Sequence, residues 1–273
     1  MPSGYEIIQD LVNGFCLAVR SEVHKRIKSI GIDLNDEERH VVLGGLLARQ
    51  GTLACEFANA VSAWNPHVSP LFTRAMVDVH ITLAWILLDP KIRSLQYIEY
   101  GLGQAKLQIE HLKSRLEKDG KNPNEDEVIK RAELWINVQK LTFFLSVDVG
   151  SWSGKTTREM ASETNLLDMY NYVYTPFSSC AHSTWNHVCR MNTKRSESAL
   201  HRYTFIPDMP EFRPNPEELY FPAQHFDKTL KLLDDKLSLG QFNGGLEEWL
   251  DAKFKEIKRK NDKSQKTEGD NEK

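Results

Sequence analysis

The feature that most constrains the fold is the spacing of apolar residues near the start of the chain. Large apolar side chains recur there at steps of three and four, at Ile8, Leu11, Val12, Phe15, Val19, Val23, Ile27 and Ile30. This spacing follows the turn of an amphipathic α-helix and not the alternation of a β-strand. Later segments repeat it, and none alternates over a length that would build a sheet. The sequence therefore predicts an all-α fold.

Start and stop signals divide the chain into further helices. Asn65-Pro66 ends a second helix predicted over about 35–64, because the residue before proline avoids helical geometry. Ser-Pro and Asp-Pro pairs begin the next two helices, in the arrangement of a cap followed by proline. Pro176 is expected to kink or break a later helix. The other predicted helices cover about 70–88, 90–118, 125–145, 156–163, 165–174, 177–190, 223–238 and 244–260, with a loop over 147–154.

Two segments are predicted to lie outside this helical pattern. Residues 193–216 hold four prolines and form a connection longer than most loops. Residues 261–273 contain no apolar side chain, so they lack the surface whose burial would offset the entropy cost of ordering. We predict a single helical domain over 1–260, a multi-helix bundle with a long Pro-rich connection and a disordered C-terminal tail.

Composition and motifs exclude several functional classes. The net charge of -3 gives no general attraction to nucleic acid or to an anionic membrane, although a net charge does not exclude a local basic patch. The most apolar stretch, 70–88, contains three ionisable side chains, so we expect a buried helix there and no membrane association. The four cysteines form no CxxC pair and the N-terminus lacks a secretory signal, which together favour the cytoplasm. Neither GxxxxGK nor GxGxxG occurs, which argues against nucleoside triphosphate binding.

The most informative feature is charge placed inside apolar helices. In the predicted helix 70–88, Arg74, Asp78 and Thr82 lie four residues apart on one face, and almost every other side is apolar. A helix that is apolar nearly all round is normally buried. A buried charge is costly unless a group of opposite charge or a hydrogen-bond partner lies beside it. We therefore expect Arg74 and Asp78 to have such partners, and each can serve as a partner of the other.

Two more helices carry similar polar stripes. Arg49, Thr52 and Glu56 share one face of the second helix, where Glu56 could meet Arg74 across two antiparallel helices. A third stripe steps by four through a later segment, at Tyr174, Ser178 and His182. Two interpretations stay open: internal pairs that fix helix packing, or a polar cavity shared by the three stripes.

These stripes carry a resemblance to a known family. The segments LLARQGTLACE, RAMVDVHITLAWILLD and the Tyr174–His182 stretch resemble a bacterial family of helical domains of unknown function, number five-six-seven-seven, over about residues 35–190. Asp78 stands where the family often has the longer Glu. The resemblance implies a helical fold and brings no established activity.

The functional hypothesis is a bacterial stress or phage-defence effector with hydrolytic or ribonuclease-like activity. HEPN-type helical nucleases use Arg and His four to six residues apart, and Arg74 to His80 has this spacing, which alone is a weak signal. Arg74 would stabilise developing charge and His182 would transfer protons. Asp78 and Glu56 would orient them. The residues assigned to substrate binding are Arg49, Tyr174 and Ser178.

Three alternatives stay open beside this hypothesis. Ser178 and His182 could act as nucleophile and base, although no GxSxG turn supports them. A metal-dependent version would need Glu56, Asp78 and His182 as ligands, but the spacing specifies no metal site and no cofactor. A non-catalytic sensing or interaction module would use the aromatic connection over 203–221. RNA, a protein partner and a homo-oligomer all remain open as partners.

Overall fold

The computed structural model of this protein describes residues 4–33, 35–143, 153–200 and 205–271, with side chains described up to residue 260. Helices make up most of it, which confirms the predicted all-α class. The α-helices are α1 (Gly4–Ile30), α2 (Glu37–Asn59), α3 (Ser69–Ile86), α4 (Pro90–Lys118), α5 (Glu127–Phe143), α6 (Thr157–Glu163), α7 (Leu167–Met169), α8 (Thr175–Ala181), α9 (Trp185–Met191), α10 (Tyr220–Leu237) and α11 (Leu246–Asn271).

Shorter elements occupy the connections. A π-helical turn, Tyr170–Tyr174, joins α7 to α8, and short 3-10 turns cover Val61–Ala63, Pro123–Glu125 and Pro216–Leu219. Inside the Pro-rich connection, β1 (Thr193–Arg195) and β2 (Phe205–Pro207) pair antiparallel in a two-stranded ribbon. The predicted loop over 147–154 lies mostly outside the described residues, and so do the side chains of the predicted tail, 261–273.

The main core lies where α1, α2, α3 and α10 pack together. The apolar stripe of α1 turns inward, so that Phe15 and Val19 are fully buried. α3 lies against both α2 and α10, which agrees with its apolar surface. Gly51 allows α1 and α2 to approach closely, because a β-carbon there would lie 2.8 Å from Val23. Burial of such side chains stabilises the fold by roughly 1.5–3 kcal/mol each.

Buried charges tie the last helices to this core. Arg26 is fully buried on α1 and donates from Nε and Nη2 to both carboxylate oxygens of Asp234 on α10, at 3.0 and 2.8 Å. Its Nη1 pairs with Glu22. Asp227 on α10 accepts the backbone N–H of Leu246 at 2.9 Å and so caps the first turn of α11. These pairs fix the orientation of α10 against α1 and α11.

Helices α4 and α5 form an arm with a separate small core. Its buried apolar residues are Leu102, Ile109, Ile129 and Ile136. Lys113 and Glu133 add an ion pair at 2.7 Å between the two helices. α5 packs on α4 and on the 3-10 turn before it. Whether 1–260 folds as one unit stays a prediction.

Of the two outcomes predicted for Pro176, a kink or a break, the break is wrong, because helical residues continue through 167–181. Pro176 lies in the first turn of α8, where proline is tolerated, and the preceding π-helical turn leads directly into that position. The chain breaks six residues later instead. His182 caps the C-terminus of α8, and Ser183 adopts a left-handed conformation with φ of 48°. The predicted helix 177–190 is therefore two helices, α8 and α9.

Candidate functional site

Arg74 on α3 is held in place by the helix opposite. Its Nε donates to Ser178 Oγ at 2.8 Å, and its Nη2 donates to the Tyr174 hydroxyl at 2.9 Å. The guanidinium carbon also lies 4.7 Å from the centre of the Tyr174 ring, within the range of a cation–π contact. Because Tyr174 and Ser178 are one helical turn apart, they reach Arg74 from the same face.

Asp78 lies one turn beyond Arg74 on α3. Its Oδ2 is 3.7 Å from Arg74 Nη1, which is close enough for an ion pair but too long for a hydrogen bond. The Arg74 side chain is 24% exposed and that of Asp78 is 37% exposed. Burial raises the pKa of the Asp78 carboxyl, and the Arg74 charge and the Tyr174 hydroxyl act in the opposite direction. The pair is therefore half-buried and open to solvent on one side.

The π-helical turn positions Tyr174 beside Arg74 and Asp78. Tyr170 stacks on Tyr174 with ring centroids 5.0 Å apart, which orients the phenol toward α3. Burial raises the pKa of the Tyr174 hydroxyl, and the nearby Asp78 charge adds to that rise. Ser178 donates its own proton to the Tyr174 carbonyl at 2.7 Å, so its oxygen faces Arg74 as an acceptor.

The structure places the other predicted site residues elsewhere. His182 is exposed at the end of α8, and the described residues show no side-chain contact between it and Arg74. Arg49 and Glu56 are exposed on α2. Glu56 does not pair with Arg74, because the apolar face of α2 turns toward the core and its charged stripe toward solvent. Four of the seven predicted residues therefore converge.

A comparison with protein-family models assigns the chain to a family. The model of a family of unknown function, DUF5677, matches residues 40–198, which is more than half of the chain. The chain belongs to this family. The match confirms the resemblance predicted from the sequence, and the converging residues Arg74, Asp78, Tyr174 and Ser178 all fall within it. No curated protein and no solved structure matches the chain.

Two further properties of this DUF5677 protein bear on its chemistry. Within the described residues, no three His, Cys, Asp or Glu side chains are grouped so that they could hold a metal ion. The ligand set Glu56, Asp78 and His182 is thus not assembled. No helix in the described part of the chain combines the length and the apolarity that a membrane crossing requires.

A second polar cluster of the DUF5677 protein, which sequence reasoning missed, is fully buried between α2, α3 and α10. Gln50 donates to Thr229 Oγ1 at 2.9 Å, and His80 Nδ1 lies 2.9 Å from the same oxygen. Thr229 donates its single proton to the His225 carbonyl, so its oxygen accepts from both neighbours and His80 is protonated on Nδ1. We call Gln50, His80, Thr229 and His225 the buried cluster.

The histidines of the buried cluster are held neutral. Burial lowers the pKa of His80 to about 3, with the His225 charge acting in the same direction. Burial likewise lowers the pKa of His225 to about 4. His225 donates from Nδ1 to the Phe221 carbonyl at 2.9 Å. The one sequence signal for this cluster was His80 inside an apolar helix.

A histidine pair lies near the start of α3, outside both clusters. His67 Nδ1 and His187 Nε2 are 3.1 Å apart, and the two rings stack with centroids 5.1 Å apart. Phe212 of the Pro-rich connection also stacks on His67, with ring centroids 6.0 Å apart. Burial lowers the pKa of His187, and the His67 charge contributes. These rings hold α9 and the connection against the α2–α3 junction.

Proposed function

We propose that this protein is a bacterial, cytoplasmic stress or phage-defence effector that cleaves phosphodiester bonds in RNA at the Arg74 cluster, defined as Arg74, Asp78, Tyr174 and Ser178. One observation carries the proposal. Arg74 is held rigidly through Nε and Nη2, while its Nη1 makes no hydrogen bond within the described residues. The cytoplasmic location is supported by four cysteines that are all free.

A guanidinium held in this way suits an anionic substrate. Three of its five N–H bonds are not used by Ser178 and Tyr174, two on Nη1 and one on Nη2. The edge formed by Nη1 and Nη2 matches the paired oxygens of a phosphate. Because Ser178 and Tyr174 already hold the side chain, little conformational entropy is lost when a phosphate binds. A pre-oriented cation at that position would also stabilise the extra negative charge of a pentavalent transition state.

Asp78 supplies the group that transfers protons in this proposal. Its carboxylate stands beside the open edge of Arg74, and its raised pKa makes it a stronger base than an exposed aspartate. It would accept the proton of the attacking 2′-hydroxyl of RNA. Ser178 and Tyr174 serve as positioning residues, since the Ser178 proton is already donated to a backbone carbonyl. This arrangement favours Asp78 over Ser178 as the reacting group.

The remaining predicted residues lie away from Arg74, so their proposed roles require a larger substrate. His182 follows Ser178 by one turn at the end of α8 and could protonate the leaving group of a substrate that extends past that end. Arg49 and Glu56, exposed on α2, would contact only a long substrate. No metal is required for these roles.

The test is cleavage of end-labelled RNA by purified parent and Arg74→Ala protein. We expect a loss of activity on the order of a hundredfold or more, the size seen when one charge-stabilising donor is removed. Arg93→Ala is the matched control. Arg93 is also partly buried, stacks on Trp85 with its guanidinium 3.7 Å from the ring centre, and donates to the Trp85 carbonyl, yet it belongs to α4.

Equal activity of the two folded variants would refute the proposed site, with folding checked by circular dichroism and thermal melting. Growth of bacteria that express the parent or the Arg74→Ala/His182→Ala variant tests the effector role. Arrest by the parent alone is expected. Equal growth arrest by the parent and by the variant would indicate that the Arg74 cluster has only a structural role.

The alternative function is a non-catalytic interaction module. It is favoured by one observation, the large apolar side chains exposed on α5, among them Trp135 at 51% exposure. An absence of RNA cleavage by the parent, together with a defined binding partner on α5, would support this alternative instead.

A further inference from the structure

Two cysteines face each other across the interface between α1 and α2. The sulfur of Cys16 lies 3.8 Å from the carbonyl oxygen of Cys55, and the sulfur of Cys55 lies 3.9 Å from the carbonyl oxygen of Cys16. The two thiols are also hydrogen-bonded to each other. Each cysteine therefore lies beside the backbone of the other, which is the position from which a disulfide can form with little movement of either helix.

The small residues around Cys55 allow this close approach. Gly51 lies one turn before Cys55 on α2, and a β-carbon there would lie 2.8 Å from Val23 of α1. Ala54 and Ala58 on the same helix are fully buried. Because these side chains are short, the two backbones can come within the reach of a short S–S link.

The thiol pair lies at the edge of the helix interface and not at its centre. Cys16 is 4% exposed and Cys55 is 5% exposed. One turn further along each helix the side chains are exposed, at Arg20 on α1 and at Asn59 on α2. The pair thus lies directly beneath the surface, where a reagent as small as a peroxide can reach it.

The environments of the two sulfurs differ. Asn59 Nδ2 donates to the Cys16 sulfur at 3.8 Å and to the Cys55 carbonyl at 2.9 Å. The hydrogen bond from Cys55 lowers the pKa of the Cys16 thiol against the effect of burial, and the Arg20 charge also lowers it. The same thiol contact, together with burial, raises the pKa of the Cys55 thiol. Because the thiolate is the reactive form of cysteine, Cys16 is the nucleophile of the pair.

We propose that Cys16 and Cys55 form a reversible disulfide when the protein meets a hydroperoxide. The Cys16 thiolate attacks the O–O bond, so that an S–O bond forms, the O–O bond breaks, and the leaving oxygen takes up a proton. The sulfur of Cys55 then attacks the Cys16 sulfenic acid. The S–S bond forms, the S–O bond breaks, and the thiol proton leaves with the hydroxide as water. Two thiols are oxidised and one peroxide is reduced to an alcohol and water, and a small thiol reverses the change.

This disulfide joins two parts of the chain that are distant in sequence. The two cysteines are 39 residues apart, and only Cys55 lies in the segment 40–198 that matches the family. A cross-link between them restricts the unfolded chain, so the oxidised protein should melt roughly 5–10 °C higher than the reduced protein. The inference is independent of whether the Arg74 cluster cleaves RNA.

The first test is treatment of the folded full chain with hydrogen peroxide, followed by denaturation and a count of free thiols. The parent has four cysteines, all of them free, and should keep two thiols. Peptide mapping without reductant should identify a bond between Cys16 and Cys55 within one chain. Dithiothreitol should restore all four thiols. This measurement requires no substitution, so it does not depend on the folding of a variant.

The second test assigns the two roles with dimedone, which labels sulfenic acids. Cys55→Ser should accumulate label at Cys16 because no second thiol resolves the sulfenic acid, whereas Cys16→Ser should show no label at Cys55. The control is Cys180→Ser/Cys189→Ser. These cysteines contact His67 and Thr193, so the control should form the same disulfide as the parent. Circular dichroism checks that each protein is folded.

The third test concerns Asn59 as a positioning residue. Asn59→Ala removes a donor to the Cys16 sulfur, so the rate of peroxide oxidation should reach its half-maximal value at a higher pH, with the same disulfide as product. An unchanged pH profile would remove this role from Asn59.

The proposal is overturned by a parent that keeps four free thiols, by a disulfide that involves Cys180 or Cys189 or joins two chains, or by equal dimedone labelling of the two single variants.

Discussion

Helix α3 contributes to two polar clusters that differ in exposure and in which hydrogen-bonding groups they leave unused. On one side, His80 enters the buried cluster, where the hydroxyl of Thr229 uses its one proton and both of its lone pairs. On another side, Arg74 enters a half-exposed cluster in which Nη1 is not hydrogen-bonded within the described residues. The buried cluster leaves Gln50 Oε1 and His225 Nε2 without a hydrogen-bond partner among the described residues, but both atoms are closed off from solvent. The Arg74 cluster keeps its unused N–H donors at an edge that is open to solvent, where a ligand can reach them.

A polar residue in an apolar helix is therefore not by itself a sign of function. Gln50 and His80 are buried and Arg74 is not, although all three lie in helices rich in apolar residues. What separates them is access to solvent and the number of unused donors. The two clusters should therefore respond differently to pH and to substitution.

The largest effect is expected from acid, acting on the buried cluster. The folded-state pKa of His80 is about 3 and that of His225 about 4, both below the ordinary 6.5. The unfolded chain therefore binds protons below pH 6.5 that the folded chain does not. Their contribution to stability is complete above that pH and falls as pH drops toward the folded values. Between pH 7 and 5 the loss should be about 4 kcal/mol, read from urea unfolding.

A control separates these two histidines from general acid effects. His80→Asn keeps a donor at the Nδ1 position but does not titrate, so its loss of stability between pH 7 and 5 should be about half that of the parent. His111→Gln, at an exposed position on α4, should behave like the parent. The same pH dependence in all three proteins would show that the buried histidines do not cause it.

The next largest effect is expected from Gln50→Ala. Removal of this fully buried side chain leaves a cavity and takes a donor from Thr229, which should lower the free energy of unfolding by about 3 kcal/mol. Gln108→Ala, exposed on α4, is the matched substitution and should change it by less than about 0.5 kcal/mol. Chemical denaturation of both variants measures the difference. Similar values would mean that the buried cluster is not a source of stability.

The smallest effect is expected in the Arg74 cluster. Tyr174→Phe removes the acceptor of Arg74 Nη2 and keeps the ring that stacks on Tyr170. It should therefore lower the free energy of unfolding by only about 1 kcal/mol. RNA cleavage, in contrast, should fall at least tenfold, because the guanidinium loses one of its two anchors. A stability loss as large as that of Gln50→Ala would erase the contrast between the clusters.

Much of the fold follows from local sequence signals. The spacing of apolar residues predicts α1 to α5 with modest errors at their ends, and the proline signals place the starts of α3 and α4 closely. A break at Pro176 was wrongly allowed because proline in a first helical turn and proline in a helix interior look alike in sequence. The π-helical turn that precedes it has no signature that periodicity could detect.

The candidate site was predictable where both partners share helical spacing. Arg74 with Asp78, and Tyr174 with Ser178, are pairs one turn apart, and the structure brings the two pairs together. Glu56 and His182 satisfied the same rule and lie apart from them. Spacing places a residue on a face of a helix, but it does not state which neighbour that face meets.

The sequence by itself determined the helical class, the family and the faces on which charges lie, because these depend on residues close together in the chain. Only the tertiary structure decided which faces meet. Thr229 and His225 join Gln50 and His80 across about 150–180 residues, and they lie outside the segment 40–198 that matches the family. The physical reason is that burial and unused hydrogen bonds are properties of packed helices together. No single helix can specify whether its polar stripe becomes a dry network or an open site.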